Sequence, residues 1–357
     1  MTIRSQITFT MTLAIFIAVI ITAGASISTS ISSATNNTQT LIGQSLTALR
    51  EQKKAHIEEY FHNIEKQIHI LASNPLIRDS LSGLTGTFTQ YVSEVEQQPR
   101  GSLTNYYRNE FGQRYQVINE RNVDFSALMA GLSSNAVALQ TAYIADNPHP
   151  LGSKEQLNRA PNYTQYDGEH EKVHPFLRDY LETFSFYDIF LISMTGDVVY
   201  TVFKELDFAT SLTEGPYKNT GLAKAFDQGS KMKEGDVTLI DFDTYLPSYD
   251  APAAFLATPV MQNGKKIGVL VVQVPVDGIT AIMSNHDQWQ QSGMGETGDS
   301  YLVGADSKLR SNLRRSIEDM DGFVSELTAI NHSPNELTEM TQRGSGVGVL
   351  SIPTQPV

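Results

Sequence analysis

The chain has 357 residues and a formal charge of −13, with 40% hydrophobic and 9% aromatic residues. That is enough length for two domains and enough apolar material for a real core, while the acidic balance argues against a nucleic-acid surface, which needs a basic face. There is no cysteine, which excludes thiolate metal sites, disulfide staples and a cysteine nucleophile.

After Arg4 the sequence runs "ITFTMTLAIFIAVIITAGASISTSIS", and the next charge is Arg50. The apolar part is as long as the ~20 residues a helix needs to cross a bilayer. Residues 1–6 therefore read as a cytoplasmic N-terminus and 7–29 as a transmembrane helix in contact with membrane lipid. A cleaved signal peptide competes with this reading, since Ala23 and Ala25 imitate a cleavage site, but its apolar region is usually only ~7–15 residues. Arg4 on the short flank places the N-terminus inside and exports the rest.

Residues 35–75 read as a long stalk helix. Leu46, Leu49, Ile57, Phe61, Ile64, Ile68 and Leu71 fall at helical spacing on one face, and Asn74-Pro75 is a stop signal. Such a stripe packs on its own domain, pairs with a second copy to give a homodimer, or does both. Residues 76–184 are helical but less regular, with "NPHPLGSKEQLNRAPNYTQYDG" as an ordered loop.

Within that stretch His170-Glu171-Lys172-Val173-His174 matches H-E-x-x-H, the zinc-protease signature. The motif is chemical only in mid-helix. Here "NYTQYDGE" precedes it and Pro175 follows. Proline favours a first helical position and costs ~3 kcal/mol inside a helix. The sequence thus predicts a helix starting at Pro175, His174 near its N-cap and imidazoles that need not share a face. A membrane-anchored metallopeptidase is the weaker reading, and neither metal nor cofactor is expected. There is no G-x-S-x-G elbow, P-loop or dinucleotide fingerprint, and "GSGVGVL" leads into a predicted strand.

From 185 to 275 the period changes. "YDIFLISM" and "VVYTVF" flank Thr195-Gly196-Asp197 as a hairpin; a short helix lies around "NTGLAKAFDQG"; "DVTLIDF", "AAFLATPVM" and "KIGVLVVQV" are three more strands, the last two joined at Asn263-Gly264. The order predicts an α+β fold with a mainly antiparallel, PAS-like sheet of five strands. Residues 276–292 form a linking helix. Residues 293–357 read as a second PAS-like module, with strands in "GDSYLVGADSKLRSN" and "GVGVLSI". That module is started and not closed, the pattern of a fragment of a longer chain.

The anchor, long helix and tandem PAS-like modules resemble the double Cache (dCache) sensor region of bacterial methyl-accepting chemotaxis proteins and of related cyclases and sensor kinases. "HPFLRDYLETFSFYDIFLISMTGDVVYTVFKELDFATSL", "GPYKNTGLAKAF", "APAAFLATPV", "GVLVVQVPVDGI" and "GETGDSYLVGADSKLRS" are similar to recurrent segments of such regions. The resemblance implies a periplasmic, non-enzymatic sensor in the bacterial inner membrane. It would bind a small molecule (amino acid, organic acid or amine) and signal to a chemotaxis kinase complex, or to a cyclase or histidine kinase output, through a cytoplasmic region not in this sequence.

It further implies a pocket on the concave sheet face of the distal module, beneath the loops after the second strand. There the chain offers Tyr200, Lys204, Tyr217, Asp241, Asp243, Tyr245 and Tyr249. A lysine can neutralise a ligand carboxylate, an aspartate can accept from an ammonium group, and tyrosines give rigid walls with a polar tip. Amino-acid-sensing members carry an Arg and a Trp-Tyr pair before the helix. "GPYKN" keeps Tyr217 and lacks the others, and Asp243 falls near the family's strand aspartate.

Overall fold

The computed structural model describes residues 2–95 and 101–352. It divides into two compact units, Met1–Glu58 and Glu59–Val357. Helix α1 runs unbroken from Ile3 to Ser73, so the two helices predicted over 7–29 and 35–75 are one element. Its threonines do not break it, because their hydroxyls are satisfied within the helix: Thr8, Thr12 and Thr29 donate to carbonyls four residues back at 2.8, 2.8 and 2.9 Å. By length and composition α1 can cross a membrane, with an 18-residue window of mean hydropathy 2.2 and none of that window buried.

In the second unit, the end of α1 buries Ile64, Ile68 and Leu71 of the predicted stripe. Asn74 then caps α2 (Pro75–Phe88), its side chain accepting from the Leu76 N–H at 2.9 Å, with Pro75 in the first turn. Short helical pieces follow, two of them π-helical, Tyr106–Phe111 and Thr141–Ala145. The wider π turn aims Tyr106, Tyr107 and Tyr143 inward, and all three are buried. Helix α3 (Gln165–Phe184) starts at a Thr164/Asp167 capping box.

The sheet comprises β1 (Asp188–Ser193), β2 (Val198–Thr201), β3 (Thr238–Tyr245), β4 (Ala251–Gln262) and β5 (Lys265–Val274), with α4 (Gly221–Lys231) between β2 and β3. Strand order is β2-β1-β5-β4-β3, and every pairing is antiparallel. Asn263 and Gly264, at φ 51° and 75°, make the tight turn between β4 and β5. Neighbouring residues of a strand face opposite sides, so β5 shows what covers each face. A Cβ on Gly268 would lie 2.7 Å from Leu81 of α2, while Gly229 of α4 abuts Val269. Helix α2 thus covers one face and α4 the other. Asp188, Gln273 and Phe255 pair in register with the α4 face.

Helix α5 (Val276–Ser284) leaves the sheet. Beyond it, α6 (Met320–Ala329) and α7 (Pro334–Arg343) enclose a small core of Leu309, Leu313, Phe323, Leu337, Met340 and Leu350. The predicted second sheet differs here. Among the described residues its strands are reduced to isolated bridges, Val303↔Leu309 and Lys308↔Ser351. Gly344 and Gly348 take φ of 63° and 71°, which turns "GSGVGVL" away from extended backbone. The final predicted residues, 353–357, lie outside the described residues.

Candidate ligand-binding site

The α4 face of the sheet ends in a buried group of carboxylates and phenols. Asp188 opens β1, and its Oδ1 accepts from the N–H groups of Ile189 (2.7 Å), Val202 (2.9 Å) and Phe203 (3.3 Å). The loop after β2 supplies Lys204, Glu205 and Asp207. Glu205 accepts from the hydroxyls of Tyr187 and Ser248, both at 2.9 Å. Asp207 accepts from the Tyr245 hydroxyl. Gln140, held by the Tyr107 hydroxyl at 2.8 Å, donates to the carbonyls of Leu206 and Phe208 at 2.9 and 2.7 Å and so fixes the loop.

Four buried atoms in this group have no protein partner: Asp188 Oδ2, Asp207 Oδ1, Gln273 Oε1 and Tyr217 Oη. An unpaired buried polar atom costs about 1–3 kcal/mol, so four together mark a place built for something other than stability. Backbone strain gathers at the same place. Lys204, Ala209, Tyr249 and Asp250 hold φ of 59°, 63°, 58° and 60°, a region that non-glycine residues occupy only under tertiary constraint.

Burial dominates the electrostatics. It pushes Asp207 up to about 6 and, with the nearby Asp207 charge adding to it, Asp188 up to about 8. Glu205 is raised well above its ordinary value, by burial first and by Asp207 and Asp188 next. Burial lowers Lys204 to about 7, against the pull of Asp188. In the free chain the cluster therefore sheds charge, as like carboxylates in a dry site must.

The seven residues singled out in the sequence divide. Tyr217 and Tyr245 lie in the cluster. Lys204 lies beside it, but its ammonium donates to the Thr201 carbonyl and stacks 4.3 Å from the Tyr200 ring, with Phe208 at 5.2 Å. Tyr200 points to the opposite face, where its hydroxyl is 2.7 Å from His174 Nδ1. Tyr249 stacks on Phe111 at 4.5 Å, with Arg114 over its ring at 5.4 Å. Asp241 and Asp243 do not join the group. Asp241 takes two 2.8 Å bonds from Arg310, and Asp243 faces Lys224 of α4 at 3.7 Å. A bulge between Ile240 and Asp243 shifts β3 against β4, which strict alternation does not anticipate. Asp188, Glu205 and Asp207 were not singled out in the sequence. A carboxylate inside the apolar run "YDIFLI", and two more in "KELDF", were the available signal.

The HEKVH prediction fails in its geometry. The helix begins at Gln165 and Pro175 is inside it; the capping box and the buried face of Tyr166, His170, Val173, His174 and Leu177 outweigh the proline. His170 and His174 do share a face, stacked at 4.5 Å. Three of their four nitrogens are used by the fold, and His170 Nε2 has no partner. His174 Nε2 is 2.6 Å from the Glu155 carbonyl, and His170 Nδ1 is 2.8 Å from that of Asn158. Glu171 turns out to Arg159 at 2.9 Å. Burial, then the adjacent Lys204, lowers His174 to about 3, so the pair is a neutral spacer beneath β2. Among the described residues no group of three or more His, Asp or Glu side chains is arranged to hold a metal.

Two surface hollows lie elsewhere. One, of about 830 Å³, runs between Val117 and α7; the other, of about 650 Å³, is lined by Ser133, Thr195, Asp197 and Glu214.

No protein-family model and no curated protein sequence matches this chain. Among solved structures it is similar to the sensor domain of the V. cholerae histidine kinase DctB, at 16% identity and TM-score 0.27, covering 51% of this chain and 59% of that one. It is also similar to the ligand-binding domain of the Pseudomonas fluorescens chemoreceptor CtaA in complex with L-serine, at 17% identity and TM-score 0.27, covering 60% and 74%. A third is the ligand-binding domain of the Campylobacter jejuni chemoreceptor Tlp3 in complex with 4-methylisoleucine, at 12% identity and TM-score 0.28, covering 68% and 72%. At these scores no residue role passes from them to this chain.

Proposed function

We propose that this chain is the solute-sensing part of a bacterial transmembrane receptor. Residues 7–29 anchor it in the inner membrane, and α1 pairs with a second copy. The sheet-bearing unit faces the periplasm and binds a small molecule at the Asp188–Glu205–Asp207 cluster without transforming it. The carrying observation is the set of four buried, unpartnered polar atoms on one sheet face. A solute that satisfies them only in one arrangement of β3 and the loop after β2 shifts the population of that arrangement by its differential affinity. The output is chemotactic signalling in this reading.

The test is a thermal-shift screen of the full chain in detergent against amino acids, organic acids and amines. A class that raises the melting temperature in proportion to the logarithm of its concentration is expected. Silence across all three classes overturns the proposal.

A further inference from the structure

The cluster also specifies the kind of molecule it takes, provided the sensing reading above holds. Its unpartnered atoms are mainly acceptors: a carboxylate oxygen on Asp188, another on Asp207 and the amide oxygen of Gln273. Each belongs to a side chain no more than 3% exposed. A ligand that satisfies them must bring donors, and a primary ammonium brings three on one atom.

The buried lysines that could receive a ligand carboxylate are already engaged. The Lys204 ammonium is tied to the Thr201 carbonyl and enclosed by aromatic rings. Lys154, the other buried lysine nearby, donates to the Asn147 carbonyl at 3.1 Å and lies 5.6 Å from the centre of the Tyr106 ring. Among the described residues no arginine pairs with Asp188, Glu205 or Asp207. A ligand carboxylate would add a fourth acidic group to three crowded ones in a dry site, with no free buried cation to receive it. The walls are phenols, Tyr107, Tyr217 and Tyr245, with Phe255 edge-on to Tyr245 at 5.1 Å; π faces attract a desolvated cation.

We infer that the site selects a primary amine that carries no carboxylate of its own, and discriminates against amino acids and organic acids. The cation replaces the protons that the crowded carboxylates otherwise hold.

The experiment is titration calorimetry of the full chain in detergent at pH 7.5, with 1,4-diaminobutane and 2-phenylethylamine set against valine and succinate. One amine at least should bind at a single site about tenfold or more tighter than valine or succinate. Asp207→Asn should weaken that amine about tenfold or more, since it removes the partner of a desolvated charge. Glu205→Gln gives the same reading if Asp207→Asn does not melt cooperatively. Asp243→Asn, whose side chain faces Lys224 outside the cluster, should leave affinity unchanged. Valine or succinate binding as tightly as the tighter of the two amines overturns the inference and leaves the sensor proposal standing. No heat from any of the four overturns both.

Discussion

At the residue scale, Asp207 concentrates the site's conflict. One oxygen is bonded to the Tyr245 hydroxyl and the other is unpaired, with Glu205 and Asp188 as acidic neighbours. Because its folded pKa is raised to about 6, against ~3.9 when unfolded, the folded state holds more protons between those values. Ionisation there destabilises the fold as pH rises. Asp207→Asn removes that dependence. In the ligand-free chain, the variant should melt no higher than the parent at pH 4 and progressively higher up to about pH 6, after which the difference levels off. A difference that shrinks with rising pH contradicts the burial argument. The same substitution stabilises the free protein and weakens ligand binding, a trade that functional sites commonly make.

The histidines at positions 170 and 174 give a second residue-scale expectation. His174 joins the Tyr200 hydroxyl to the Glu155 carbonyl, so His174→Ala leaves a cavity and takes the partner of the buried Tyr200 hydroxyl, while the Glu155 carbonyl keeps its bond from Arg178. A loss of about 2–4 kcal/mol in a denaturant titration is expected, and chelators should leave the parent's melting temperature unchanged. A chelator-sensitive melt would mean that the pair holds a metal.

At the element scale, β3 is the sheet's edge strand and is held from outside by the C-terminal region. Arg310, itself buried, bonds both oxygens of the more exposed Asp241, and Arg343 donates to Thr244 Oγ1 at 2.9 Å. Tyr245, the next residue, reaches into the cluster. In the proposed receptor the strand therefore has a ligand-side end and a clamp to the C-terminal region within a few residues. Arg310→Ala should cost about 1–3 kcal/mol, since one partner is buried and the other largely solvated. It should also speed hydrogen exchange at the β3 amides more than at those of β5. Equal acceleration across the sheet would show that the clamp acts on global stability alone.

Elements were legible where local chemistry and tertiary packing agree. Asn263-Gly264 and Gly196 mark hairpins whatever surrounds them, and the all-apolar run of β5 can only be a central strand. Legibility failed where packing overrides the local rule. Pro175 reads as a helix start, yet the capping box of Thr164 and Asp167 and the buried histidine face carry the helix through it. The β3 bulge resets alternation after Ile240, so Tyr245 rather than either aspartate reaches the cluster. The carboxylates that do form it were hidden because a charged residue at a strand end or in a loop reads first as solvated.

At the scale of the whole molecule, the second unit buries one core on both faces of the sheet and a smaller one among α6, α7 and the loop before them. The first unit is a helix whose apolar side chains, such as Ile15 and Phe16 at 66% and 63% exposure, find no protein partner among the described residues. A lipid environment supplies that partner in the proposed receptor.

The most direct measurement is a crystal structure of the chain soaked with the tightest solute from the thermal-shift screen. The account expects ligand density within hydrogen-bonding distance of Asp207 Oδ1 and Gln273 Oε1, on the α4 face of the sheet. Density confined to the hollow beside Val117 or to that beside Asp197, with the carboxylate cluster unchanged, would contradict it.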